Sequence, residues 1–214
     1  MRRLFSALAA GALLSAASSS FAALPGSIED FSTGLGGFFS QSIRWVSSGG
    51  VGGAGDGYAE PFRDLFAGNL GATSADPLFT GSLIADGVTG YEFWLNDTGA
   101  DDPLSIHMAI GVAQVNVWMN INGISPPLHQ WQQYTIDFSN PSDWVQIQGS
   151  DSFADALALT DRLLIRHDLA PYSQVPDSII GDFGLDRVRV LPEPATALLA
   201  LCGAALVRRR AARR

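Results

Sequence analysis

The chain has no lysine, one cysteine, almost no helix-period pattern and no apolar run long enough to span a bilayer comfortably. Each shortage excludes something. Without lysine the positive charge is all arginine, and seven of the 13 arginines lie at the ends, at positions 2, 3, 208, 209, 210, 213 and 214. Between Ala23 and Glu193 six Arg face 21 Asp and Glu, a formal charge of −15. Such a body repels nucleic acid and anionic lipid, whose binding rests on arrays of Lys and Arg. Cys202 lies in the C-terminal apolar run, so the central region has no disulfide and a disulfide scaffold is excluded. About 170 residues without repeat or linker predict one domain.

The two ends have their own grammar. Arg2 and Arg3, an apolar stretch from Leu4 to Leu14, and Ser20-Phe21-Ala22 before Ala23 make a secretory signal peptide over residues 1–22, cut between Ala22 and Ala23. At the other end, Pro192, Glu193 and Pro194 precede an apolar run from Ala195 to Val207, then Arg208, Arg209, Arg210, Arg213 and Arg214. A 13-residue helix is about 20 Å long, against a hydrocarbon core of about 30 Å. It would be a transient anchor, its arginines held in the cytoplasm by the positive-inside tendency. The two prolines would keep the approach extended.

The middle reads as strands. "GYEFWLND" alternates Tyr91, Phe93 and Leu95 with Glu92, Trp94 and Asn96; "LSIHMAIG" and "QVNVWMNIN" alternate in the same way. "QYTIDF", "RLLIRHD" and "DRVRVL" supply three more strands, and "SFADALA" one helical turn. Short strands with one apolar face each predict an all-β antiparallel sandwich. The six glycines of "SSGGVGGAGDGY" lack the context of a phosphate loop and predict a flexible connection.

Two resemblances follow from particular residues. "FSTGLGGF", "GDGYAEPFRD", "ADPLFTGSL", "QWQQYTIDF", "DWVQI", "ALTDRLLIRHDL" and "GLDRVRV", in that order, resemble the laminin type IV (laminin B) domain. That resemblance implies a jelly-roll β-sandwich over residues 23–190, of the galactose-binding or carbohydrate-binding-module shape. Arg187 stands where the family has Asn, and the cysteine-rich repeats that flank the domain in animal laminins are missing. Residues 191–214, with Pro192-Glu193-Pro194 and the arginine cluster, resemble the PEP-CTERM sorting signal of Gram-negative bacteria that make extracellular polysaccharide. That resemblance implies exosortase as a partner, transient inner-membrane association, and delivery to the cell surface or matrix.

No Gly-x-Ser-x-Gly elbow or zinc-type histidine spacing occurs, and the acid pair Glu60 and Glu92 has only its chemistry to recommend it. The expectation is therefore non-catalytic: an adhesive or polysaccharide-associated protein. The rivals are a secreted glycan-active enzyme and a structural coat protein. If Tyr91, Phe93 and Leu95 point inward, the opposite face carries Glu92, Trp94, Asn96, His107, Asn116 and Trp118, with Arg166 beside them. Indole rings next to amides and charges suit a sugar, although either tryptophan would serve equally as core. Calcium is the cofactor expected: the resemblance to related jelly rolls implies a site where Glu29 or Asp30 near the first strand meets Asp186 near the last. Asp97, Asp101 and Asp102 form a second acidic turn, which solvated turn chemistry also explains.

Overall fold

The computed structural model describes residues 23–99 and 102–193. Twelve strands run in chain order: β1 Ile28–Glu29, β2 Phe38–Phe39, β3 Ile43–Val46, β4 Tyr58–Ala67, β5 Gly71–Ser74 and β6 Val88–Asp97. There follow β7 Ile106–Val112, β8 Asn116–Asn120, β9 Gln132–Asp137, β10 Trp144–Gln148, β11 Arg162–His167 and β12 Ile179–Pro192. The first sheet has the order β3-β4-β12-β6-β9, with β1 also beside β12, and the second has β10-β8-β7-β11-β5-β2. All strand pairs are antiparallel, and the two sheets form an all-β jelly-roll sandwich.

Alternation decides which residues the two sheets share. Tyr91, Phe93 and Leu95 of β6 and Phe183 and Leu185 of β12 are fully buried on one side of the core. Ile106, Met108 and Ile110 of β7 and Leu163 and Ile165 of β11 meet them from the other sheet. Each such side chain contributes about 1.5–3 kcal/mol by leaving water. The rim of the core is aromatic: Phe31, Phe38 and Phe79 stack edge to face at 5.3 and 5.7 Å, and Trp144 stacks on Phe153 at 4.9 Å.

The expected helical turn is α1, Phe153–Ala158, started by a capping box in which Ser152 and Asp155 exchange side-chain and backbone bonds. β12 is much longer than "DRVRVL" suggests, because a bulge lets one strand serve several partners. Its register on β6 shifts between Asp186 and Arg189, where Arg187 has φ 49. β4 pairs with the half before the bulge and β1 with the residues after it. β12 also runs two residues past Val190: Leu191 faces Gly90, Pro192 faces Val88, and Glu193 N–H donates to the Gly87 carbonyl at 2.8 Å. The ordered body therefore includes Pro192 and Glu193. Pro194, the apolar run and Arg208, Arg209 and Arg210 lie outside the described residues, as does Ala22; Ala23 is buried.

The glycine-rich stretch folds down onto the first sheet and is no loose connection. Val51 N–H donates to Asp186 Oδ2 at 2.8 Å, and Trp131 Nε1–H donates to the Gly49 carbonyl at 2.8 Å. A Cβ at Gly57 would stand 2.5 Å from the Phe31 carbonyl oxygen, and one at Gly50 2.9 Å from Asp186 Oδ2. Glycine is needed here for close approach.

Candidate functional site

The six residues expected to form one platform are divided between two sheets. Glu92, Trp94 and Asn96 stand on the outer face of the first sheet, whereas His107, Asn116 and Trp118 belong to the second. On the first sheet the face is occupied. Glu92 lies 3.7 Å from Arg189, Trp94 is opposite Asp186, and Trp131 covers Gly184, where a Cβ would come within 2.6 Å of the ring.

On the second sheet, β8 has the opposite side-chain parity from that expected. Trp118 is opposite the buried Ile110, packs against Phe153 at 5.6 Å, and donates from Nε1 to Asn116 Oδ1 at 3.0 Å. Asn116 is buried, and its Oδ1 also accepts from Gln146 Nε2. These two residues close the end of the sandwich, and Val117 and Met119 take the outer face. The reason is cover: Ala109, Val117 and Met119 form a small second apolar cluster under Ile147, Leu164 and Tyr172. His107 is buried too, with Nδ1–H donating to the Asn120 carbonyl at 2.8 Å and Nε2 2.9 Å from Ser105 Oγ. Burial pushes its pKa down, so it is a neutral structural imidazole.

The calcium set does not converge. Asp186 has its oxygens committed to Val51 N–H and to Arg187 N–H at 2.7 Å; Glu29 accepts from Phe31 N–H at 2.8 Å and Asp30 from Ser32 N–H at 3.0 Å. Among the described residues no group of three or more His, Cys, Asp or Glu is placed to hold a metal ion. A hard cation needs six to eight oxygens turned toward it, and these are turned toward backbone donors. Asp101, of the acidic turn, lies outside the described residues.

What the second sheet offers was not legible beforehand. The registers line up Phe39, Thr73, Leu164, Ala109, Met119 and Val145 in one row across β2, β5, β11, β7, β8 and β10. At about 4.8 Å per strand the row is about 24 Å long. Two depressions flank β11 along it and share Leu164 and Arg166 as a common wall. The first, about 240 Å³, adds Phe39, Gln41, Asn69 and Thr73; the second, about 200 Å³, adds Gln114, Val117, Gln148, Arg162 and Gln174. Neither has an acidic residue in its lining.

Arg166 fixes the segment that borders both. Its guanidinium, nearly buried, pairs with Asp168 at 2.5 Å and donates to the carbonyls of Ser173 at 2.5 Å and Gln174 at 3.3 Å. The same segment places Tyr172 against His107, ring centroids 4.9 Å apart, with its hydroxyl donating to the Ile121 carbonyl at 3.1 Å. Arg166 Nε–H is buried without a partner. Ala109 and Met119 are buried in the row, so its accessible parts are Phe39, half exposed, and the amide-bordered depressions, which can lie against the C–H faces of a ring while donating to its hydroxyls.

Known structures with this architecture are similar in fold. The family 11 carbohydrate-binding module of Clostridium thermocellum, solved with a β-1,3-1,4-mixed-linked tetrasaccharide, matches with a TM-score of 0.51 at 17% identity, over 80% of this chain and 98% of that one. The family 11 module of a cellulosomal cellulase from the same organism matches at 0.50 and 15%, over 80% and 96%. An exo-β-agarase matches at 0.50 and 9%, over 77% of this chain and 25% of its own. Identities this low show the fold alone. No protein-family model matches the sequence, and no curated protein is detectably similar to it.

Proposed function

We propose that this protein is an exported, non-catalytic component of the cell surface or its matrix, and that it binds polysaccharide along the outer face of the second sheet. The observation that carries the glycan reading is the cross-strand row from Phe39 to Val145 with its two acid-free, amide-bordered depressions. Ala109 and Met119 of that row are fully buried under Ile147, Leu164 and Tyr172, so a glycan would lie against its accessible members, Phe39, Thr73 and Leu164, and in the two depressions beside them. The likeness to a module solved with a tetrasaccharide supports the same reading.

A non-catalytic role is supported by where the acids go. Glycoside hydrolysis needs one protonated and one ionised carboxyl facing the bond. Glu60 is held by Arg44, and Glu92 lies against Arg189. A further depression, at the edge between β8 and β9, does contain Asp137 and Asp143. Bonds from the Ser139 hydroxyl and N–H hold the Asp137 carboxyl below its usual range, which is wrong for an acid catalyst.

Export and sorting rest on the ends of the chain. The basic start, apolar stretch and Ala22–Ala23 junction support secretion, and Pro192-Glu193-Pro194 with Arg208, Arg209 and Arg210 supports processing by exosortase. Among the described residues no helix is long and apolar enough to cross a membrane.

The glycan site is tested by affinity electrophoresis and calorimetry on a panel of polysaccharides, with Phe39→Ala and Gln148→Ala beside the parent protein. Both variants should weaken binding about tenfold or more with unchanged melting temperatures. Parent-like affinity in both would remove the site from this face, and a parent that binds no glycan would refute the reading.

A further inference from the structure

We propose that this groove selects an acidic polysaccharide, one whose sugars carry carboxylates, and that Arg162 is the residue that holds the carboxylate. The inference rests on the glycan reading of the second sheet and goes on to name the class of polymer.

The argument starts from where the positive charge goes. Of the six arginines between Ala23 and Glu193, four face acids: Arg44 with Glu60, Arg166 with Asp168, Arg187 with Asp56 at 3.5 Å, and Arg189 with Glu92 at 3.7 Å. Arg63 is buried and donates to the carbonyls of Gly68 and Asn69 and to the side chains of Gln41 and Ser42. Among the described residues the side chain of Arg162 alone of the six has neither an ion pair nor a hydrogen bond. It is exposed, and it lines the second depression.

Its isolation is built into the sheet. On one side its partner is Gly111, which has no side chain; Gly111 has φ +131, and a Cβ there would stand 2.0 Å from the Asn116 carbonyl oxygen. On the other side the pairing of β5 begins one residue later, at Leu163 with Ser74. Neither neighbouring strand therefore sets a cross-strand side chain directly opposite Arg162. A planar fork of donors left free beside Gln114, Gln148 and Gln174 matches a carboxylate in geometry and charge, and the amides suit the hydroxyls around it. The body carries a formal charge of −15, yet charges more than about 10 Å away are largely screened at ordinary salt. In the groove Arg166 is neutralised by Asp168 and the carboxylate of Asp161 is held by Ala113 N–H at its rim, so Arg162 is the positive charge left without a partner.

The test is calorimetry of the mature protein with a soluble polyuronate, its carboxyl-reduced neutral form and a sulfated polymer, using the parent, Arg162→Gln, Arg162→Lys and Phe39→Ala. The parent should bind the polyuronate about tenfold or more tightly than the reduced form. Arg162→Gln should lose that margin and bind the two alike, Arg162→Lys should keep part of it, and Phe39→Ala should weaken both polymers. Equal parent affinity for polyuronate and reduced polymer, still sensitive to Phe39→Ala, would overturn the selectivity and leave the glycan site standing. Binding of no polymer would sink the glycan reading itself. A sulfated polymer held as tightly as the polyuronate would overturn the carboxylate assignment, and so would an Arg162→Gln variant that keeps the margin.

Discussion

Asp186 predicts a pH dependence with a definite sign. Its carboxyl is wholly buried under the glycine-rich segment, and burial raises its pKa from an ordinary 3.8 to about 6, against the opposing pull of Val51 N–H and Arg187 N–H. An acid whose folded pKa lies above its unfolded one costs the fold stability once ionised. Below pH 3.8 the cost is absent; it grows between 3.8 and about 6, while the unfolded state alone has released its proton; above that it is complete. Two pKa units correspond to about 3 kcal/mol. Asp186→Asn removes the charge but can accept from only one of the two N–H groups, a loss of about 1–2 kcal/mol that does not vary with pH. The variant should be less stable than the parent at pH ~4 and equal or more stable at pH ~7, the difference moving by about 3 kcal/mol. Burial also raises Glu29 and Asp168, but both are present in each protein and cancel in the difference. Urea unfolding in pH steps, followed by tryptophan fluorescence, measures this directly. Stability curves for the two proteins that ran parallel across the window would falsify the account of Asp186 as an ionised, buried clamp.

Two further outcomes are expected. Trp118→Ala should lower stability by about 3 kcal/mol, because the ring packs on Phe153 and the core, while glycan affinity per folded molecule stays at the parent value; thermal melts and calorimetry separate the two, and a loss of affinity without loss of stability would return Trp118 to the binding face. Intact-mass measurement of the surface-retained protein should show Ala23 as the first residue and no Arg214, and a retained species carrying both ends would contradict processing.

The fold was legible wherever only one face of a strand is apolar. Tyr91, Phe93 and Leu95 against Glu92, Trp94 and Asn96 permit one orientation, and β6 adopts it. β8 is ambiguous, since both of its faces can be buried: Val117 and Met119 are as apolar as Trp118, and which set goes inward depends on what covers the other. That cover comes from Leu164, Ile147 and Tyr172, remote in sequence and unreadable from the alternation itself. Reversing β8 took Asn116 and Trp118 off the outer face and moved the candidate site to residues that no single window brings together. Phe39, Thr73, Leu164 and Gln148 become neighbours only through sheet order. One hint was available: Arg162 and Arg166 lie on the same face of one strand in a chain with few central arginines. The glycine-rich stretch misled for a different reason. Its glycines suggest looseness, but contacts to Asp186 and Trp131 demand small residues there.

The junction of β1 with β12 has a consequence for how the body can be carried. Gly26 N–H donates to the Val190 carbonyl and Val190 N–H to that of Ser27, so the entering and leaving chains run side by side. A leader and a tail held in one membrane would grip the sandwich at a single pole, like a lantern on its hook. The same geometry makes it a cassette: cut at that pole, it could be spliced into a surface loop of an unrelated carrier and still close its two sheets.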